Sequence, residues 1–209
     1  MPLYYSATHA FMLARERALI PDFNLNGVLP PFVGNTPGAQ MALSSPYQCT
    51  PLELVERFST SDHRKTLLRG FFKFREALRA NGLEAGFQWV NGSFTENVEA
   101  LGRDPKDIDV VTLSYRPTAH AERAAWDEFV QNQSTGGIFD RALNRASFTC
   151  DASFIDLHIA PHLVARQAAY WNGLFSHRRG TFQWKGMLAI ALHIEDAEAI
   201  AALGDGGDE

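Results

Sequence analysis

Between residues 61 and 80 the apolar side chains Leu67, Phe71, Phe74 and Leu78 recur every three or four positions, with Leu68 and Phe72 widening the stripe, before Asn81-Gly82 interrupts it. That spacing predicts a helix with one face turned to a core. A shorter helix, from Thr50 to about Phe58, is predicted just upstream: Thr50 can cap it, Pro51 suits its first position and Glu53 completes a capping box. Strands are predicted at residues 87–90, at the β-branched run 107–115 and at 151–160, and helices at 118–133, 137–146 and 161–175. The strands are not regularly separated by single crossover helices. This order predicts an α+β fold, a small mixed sheet with helices packed against it, rather than a doubly wound sheet.

The first fifty residues carry Pro21, Pro30, Pro31, Pro37 and Pro46 among scattered apolar residues, a pattern that cannot sustain a helix. The organisation expected is an irregular N-terminal arm over residues 1–49, one domain over 50–200 and a flexible tail over 201–209. Composition fits that picture: 45% hydrophobic, 11% aromatic and 21% charged residues exclude the disordered and collagen-like classes. No apolar run reaches membrane-spanning length, so no membrane association is expected. Residues 1–19 bring no positive charge before their apolar stretch and then meet Arg15, Glu16 and Arg17, which argues against a signal peptide and for a cytoplasmic location. The two cysteines, Cys49 and Cys150, form neither a disulfide framework nor a zinc-finger pattern. A net charge of −5 argues against binding extended duplex DNA, which rests on a surplus of Lys and Arg. With 24 carboxylates in the chain, the question is whether some of them gather around a divalent cation.

One constellation stands out. The strand at 87–90 leads into Asn91-Gly92-Ser93, and after thirteen intervening residues comes Asp107-Ile108-Asp109 followed by Val110-Val111. Residues two apart in a strand share a face, so Asp107 and Asp109 project together. Two adjacent carboxylates repel unless a cation lies between them, and Mg²⁺ (or Mn²⁺) is held by one or two carboxylates together with phosphate oxygens. Gly92 permits close backbone approach, and Ser93 offers a hydroxyl to phosphate. A third carboxylate would complete a two-metal site. Asp151 and Asp156 are the candidates; they have opposite parity along the strand, and alternation alone does not choose between them.

The Gly-Ser, spacer, Asp-x-Asp pattern with a later acid resembles the nucleotidyltransferase superfamily that includes DNA polymerase β and the small bacterial minimal nucleotidyltransferases. The resemblance is carried by Trp89-Val90-Asn91-Gly92-Ser93-Phe94, by Pro105-Lys106-Asp107-Ile108-Asp109-Val110-Val111 and by Cys150-Asp151-Ala152-Ser153-Phe154-Ile155. The chain is also similar to an uncharacterised bacterial branch of that superfamily, sharing a Leu29-Pro30-Pro31 opening and a late Lys185-Gly186. The resemblance implies an ATP- or other NTP-binding transferase. Asp107, Asp109 and Asp151 would hold metal, with Asp156 the alternate third acid, and Asp151 would help activate the acceptor hydroxyl. Gly92, Ser93, Arg179 and Lys185 would bind the triphosphate. It further implies a protein or RNA acceptor and a toxin–antitoxin or phage-defence setting with a partner protein. The competing expectation is an inactive, antitoxin-like binding protein of the same fold.

Several other features have weaker claims. Glu96, shortly after Gly-Ser, would repel a triphosphate unless it points away. Residues 176–180, with Arg178 and Arg179, form a basic cluster that together with Lys185 suits phosphate; Arg64 and Lys65 are a second basic choice. Pro161 lies between His158 and His162 and argues against a shared zinc site. Phe71, Phe72, Phe74, Trp126 and Phe129 read as core, whereas Trp171 and Trp184 flank the basic cluster and could stack on a base. A nuclease or phosphatase lacks a His or Lys general acid in this pattern.

Overall fold

Side-chain caps set where the first two helices begin. In this computed structural model, which describes residues 20–36 and 41–204, Thr50 and Glu53 close the expected capping box at the start of helix α1 (Pro51–Phe58). Ser61 caps α2 (Asp62–Ala80) by accepting from the Arg64 amide at 3.2 Å. The α2 stripe is buried as its spacing predicts, from Leu67 through Phe71 and Phe74 to Leu78. The readings made for residues 1–19, 37–40 and 205–209 fall outside the described residues.

Five strands form one mixed sheet in the order β1-β5-β2-β3-β4: β1 (Tyr47–Gln48), β2 (Gly86–Asn91), β3 (Ile108–Ser114), β4 (Cys150–Asp156) and β5 (Leu188–Ala191). Strand β2 runs antiparallel to both β3 and β5, whereas β3–β4 and β1–β5 are parallel. One sheet face, through Val90, Ile108, Val110 and Ala152, packs on α1 and α2 in the larger core. The opposite face, through Val111, Leu113 and Ile155, is covered by Val164, Trp171 and Phe175 of α5 (Pro161–Phe175). Helices α3 (Arg123–Gln133), α4 (Arg141–Phe148) and α6 (Ala197–Ala202) complete the set. The chain is thus α+β, with a five-stranded mixed sheet and six α-helices among the described residues. No helix among the described residues is long and apolar enough to cross a membrane.

Several boundaries differ from expectation. Strand β4 stops at Asp156 rather than running to 160, because the Asp156 carboxylate accepts from the His158 amide at 2.8 Å and turns the chain. Helix α4 starts at Arg141 rather than 137, since Asp140 caps the amides of Ala142 and Leu143. Residues 118–120 form a 3₁₀ turn before α3 begins at Arg123. Strands β1 and β5 and helix α6 were not predicted. Part of the N-terminal segment is built into the core rather than laid over it: Val28 and Leu29 are fully buried, and Tyr47 in β1 donates to the Pro30 carbonyl at 2.7 Å. Gly186 donates its amide to Leu29 O at 2.8 Å, and a side chain there would fall 2.5 Å from Pro30 O. The two segments Leu29-Pro30-Pro31 and Lys185-Gly186 therefore pack directly on each other.

The deepest polar contact ties α2 to the far end of β5. Arg75, fully buried, donates to Asp196 at 2.8 and 3.0 Å, to Gln88 Oε1 at 2.8 Å and to the carbonyls of Ala191 and Ile194, while Arg79 adds a second bond to Asp196 at 2.7 Å. Buried charge is tolerated here because its donors are met on several sides.

Candidate functional site

Strand β2 ends at Asn91, which stands opposite Asp109 in the β2–β3 register. Its side chain spans the turn that follows, accepting from the Gly92 amide at 2.6 Å and donating to the Phe175 carbonyl at 2.7 Å. Gly92 has a φ of +84°, in the region that favours glycine. A Cβ at this position would lie 1.9 Å from Asp109 Oδ2, so the Asp109 carboxylate rests against the glycine backbone. The chain then enters a 3₁₀ turn at Ser93–Thr95. Ser93 is half-buried, and its hydroxyl makes no hydrogen bond among the described residues.

The parallel β3–β4 register sets Asp109 opposite Asp151, while Asp107 lies one residue before β3 on the same side as Asp109. These acids share the α5 side of the sheet with Val111 and Ile155, by the period-two alternation of strands. Asp156 lies elsewhere. It stands opposite Ser114 at the other end of β4 and on the other parity, where Arg116 holds it at 2.7 and 2.9 Å. The structure therefore brings Asp107, Asp109 and Asp151 together beside Gly92 and Ser93, and leaves Asp156 in a separate ion pair.

The three acids differ in charge environment. Asp109 accepts no hydrogen bond among the described residues. Burial, then the charges of Asp107 and Asp151, push its carboxyl up to about 6. Asp107 is also raised, by burial first and then by Asp151. Asp151 goes the other way: burial would raise it, but hydrogen bonds from Arg141 at 2.5 and 3.0 Å and from Arg145 at 2.5 Å outweigh that and hold it below its ordinary value. Arg145 also reaches Asp107 at 3.9 Å. Among the described residues no group of three or more His, Cys, Asp or Glu side chains is arranged to hold a metal ion; the two arginines draw the Asp151 oxygens onto themselves. Asp107 and Asp109 suit a divalent cation, being a pair of hard oxygen donors whose raised proton affinity marks an unmet need for positive charge.

Of the basic candidates, Arg179 is exposed, makes no hydrogen bond or ion pair among the described residues, and offsets the charge of both Asp107 and Asp109. Lys185 is occupied instead. It is 4% exposed and donates to Glu96 Oε1 at 2.6 Å and to the Gly92 carbonyl at 3.0 Å, so it props the turn from below. Burial lowers its proton affinity, and Glu96 counteracts that. Glu96 also accepts from Arg178 at 2.9 Å; it points into this buried pair and away from the turn's outer surface. Arg64 is a strut rather than a free cation, bonded to Glu99 and to the carbonyls of Phe94 and Glu96. His158 accepts from the Arg116 amide at 3.0 Å.

Arg141 and Arg145 were missed in the sequence. Their signal is present: two arginines four apart on one helix face, directly upstream of an acid-bearing strand. The roles of Asn91 and Glu96 had no such signal, because each depends on a residue more than eighty positions away.

Residues 21–191 match the model of a family described as a family of unknown function, DUF6932. Comparison with curated proteins and with solved structures finds no match.

Proposed function

The chain belongs to the DUF6932 family, and we propose that it is a metal-dependent nucleotidyltransferase, moving a nucleoside monophosphate from an NTP to a hydroxyl of a protein or an RNA. The observation that carries this is the placing of Asp107, Asp109 and Asp151 on adjacent strands beside the Gly92-Ser93 turn, with Asp109 partly buried and, among the described residues, without a hydrogen-bond or ion-pair partner. A further support is the arrangement itself: a Gly-Ser turn ends the strand antiparallel to the Asp-x-Asp strand, and the third acid sits on the strand parallel to it.

In this scheme Asp107 and Asp109 hold Mg²⁺ or Mn²⁺. When bound, the metal supplies charge neutralisation at the phosphates and orients them for in-line attack. Ser93 offers its hydroxyl to the triphosphate, and Arg179 lies exposed where it can reach the outer phosphates. The acceptor oxygen forms a bond to the α-phosphorus as the bond from that phosphorus to the bridging oxygen breaks, and pyrophosphate leaves. The hydroxyl proton must pass to a base. Asp151 is a poor proton acceptor while Arg141 and Arg145 hold it down, so it serves that role only after they let go. Catalysis is positioning and charge neutralisation in the main. The setting is cytoplasmic toxin–antitoxin or phage-defence chemistry.

One observation favours a second reading, an inactive antitoxin-like protein that acts through a partner. The arginines on Asp151 and the Glu96 on Lys185 satisfy charges that a working site would turn to substrate. Incubating the protein with each labelled NTP, Mg²⁺ or Mn²⁺ and lysate separates the two. Transfer of label to protein or RNA that disappears in Asp109→Ala is expected. Absence of transfer, together with no calorimetric heat for Mg²⁺ or NTP, favours the inactive protein.

A further inference from the structure

The apolar cavity against the outer edge of β4 is separate from the acid cluster but shares a residue with it. It encloses about 370 Å³, a volume within the range of small-ligand sites, and Phe139, Phe154, Trp171, Ser153 and Arg141 are among its walls. Arg141 also donates to Asp151, and Ser153 is the next residue along β4 on the same face as Asp151. Two residues of strand span only about 7 Å, so whatever fills this cavity lies within one nucleotide's reach of the acids.

The cavity's polar features have a defined pattern. Ile108 N donates to Thr149 O, and Leu157 N donates to Ser114 O. In a parallel ladder a strand's residues alternately turn both backbone groups to the neighbour and both away, so the odd-numbered residues of β4 face β3. Ala152 and Phe154 turn their N–H and C=O outward, along an edge that carries no further strand among the described residues. Both residues line the cavity. Their outward backbone groups find no hydrogen-bond partner among the described residues, and neither does the Ser153 hydroxyl. A row of alternating donors and acceptors between flat aromatic walls matches the edge and faces of a heteroaromatic ring.

We propose that this cavity takes the nucleobase of the transferred nucleotide, with its hydrogen-bonding edge on the β4 backbone and its ring against Trp171 and Phe139. This rests on the nucleotidyltransferase reading for the position of the phosphates, but binding of the base does not depend on turnover. An extended peptide added to the same edge is disfavoured, because Arg116 and Asp156 occupy the far end of β4 and the rings of Phe139 and Trp171 line the space beside it.

The experiment uses the full chain and three probes: adenosine and guanosine without metal, inorganic tripolyphosphate with Mg²⁺, and the NTPs with Mg²⁺. Titration by ligand-observed NMR and calorimetry follows each. A nucleoside is expected to bind wild type without metal. Ser153→Trp, which adds bulk to the lining, and Trp171→Ala, which removes part of it, should each weaken nucleoside and NTP by about tenfold, the scale of one stacked base. Tripolyphosphate should be unaffected. Asp109→Asn should do the reverse, losing tripolyphosphate with Mg²⁺ and keeping the nucleoside. Failure of every nucleoside to bind, or binding untouched by both cavity variants, overturns the proposal. Nucleoside binding without any tripolyphosphate binding would instead leave the cavity assignment standing and remove the transferase reading.

Discussion

Replacing Asp109 by asparagine tests the electrostatics of the site before any substrate is known. The carboxyl rises from an ordinary 3.8 to about 6 in the folded chain, chiefly through burial and then through Asp107 and Asp151. Roughly two pKa units correspond to about 3 kcal/mol at most. The sign follows from proton counts. Between about pH 4 and pH 6 the folded state holds a proton that the unfolded state has released, so stability falls as pH rises through that window, and the full penalty persists above about 6. Asparagine keeps the shape against Gly92 and removes the charge. Asp109→Asn should therefore melt higher than wild type at about pH 7.5, by roughly 5–10 °C for a chain of this size, and the gap should close toward about pH 4. Mg²⁺ should raise the wild-type melting temperature at the upper pH and leave the variant unchanged. Differential scanning calorimetry across this range, with and without Mg²⁺, measures both effects. A variant that melts below wild type at about pH 7.5, or a difference that ignores pH, would refute the account of Asp109 as an unpaired charge.

Glu96→Gln leaves Lys185 and Arg178 without their buried anion and should cost about 3–5 kcal/mol in urea denaturation. Gly92→Ala puts a side chain on a backbone at φ +84° and ψ −160°, a region that only glycine adopts freely, and against Asp109; a loss of about 1–3 kcal/mol from the backbone alone, with disappearance of the Mg²⁺-dependent melting shift, is the expected result. Asp156→Asn breaks the Arg116 pair and should lower stability by about 1–3 kcal/mol, yet leave Mg²⁺ and tripolyphosphate binding intact, whereas Asp151→Asn should weaken that binding in the same calorimetric titration. Asp196→Asn strands Arg75 in the core and should cost about 3–5 kcal/mol without altering the binding of either ligand.

How much of this was legible depended on whether a feature was local. The α2 stripe and the Thr50–Glu53 box are written within a few residues, and both stand in the structure. Strand β5 was not, because Leu188-Ala189-Ile190-Ala191 is buried on both faces and an unbroken apolar run carries no period. In the site, Asp107 and Asp109 could be paired by parity alone. The choice of Asp151 over Asp156 could not, since parity says only that the two face opposite ways. The register Asp109↔Asp151 decides which of them shares the face, and register is a property of two strands. Glu96 shows the same limit in another form. Read in place it was an acid beside a phosphate turn; its partner Lys185 lies 89 residues on and turns it into part of the turn's support.

Charge balance then constrains the order in which the site could fill. Lys185 and Arg178 are both engaged by Glu96, which leaves Asp107, Asp109 and Asp151 facing Arg141, Arg145 and Arg179. A divalent cation arriving alone gains the two raised carboxylates but meets the arginines that already serve Asp151. A triphosphate arriving alone gains the arginines but meets three carboxylates. Under the proposed function each ligand would therefore remove the repulsion that opposes the other, and each would be worth more in the other's presence, a reciprocal coupling of the kind linkage requires. The arginine grip on Asp151 fits the same scheme. Under the proposed function, phosphate oxygens would compete with that carboxylate for the guanidinium donors of Arg141 and Arg145, so nucleotide binding would free Asp151.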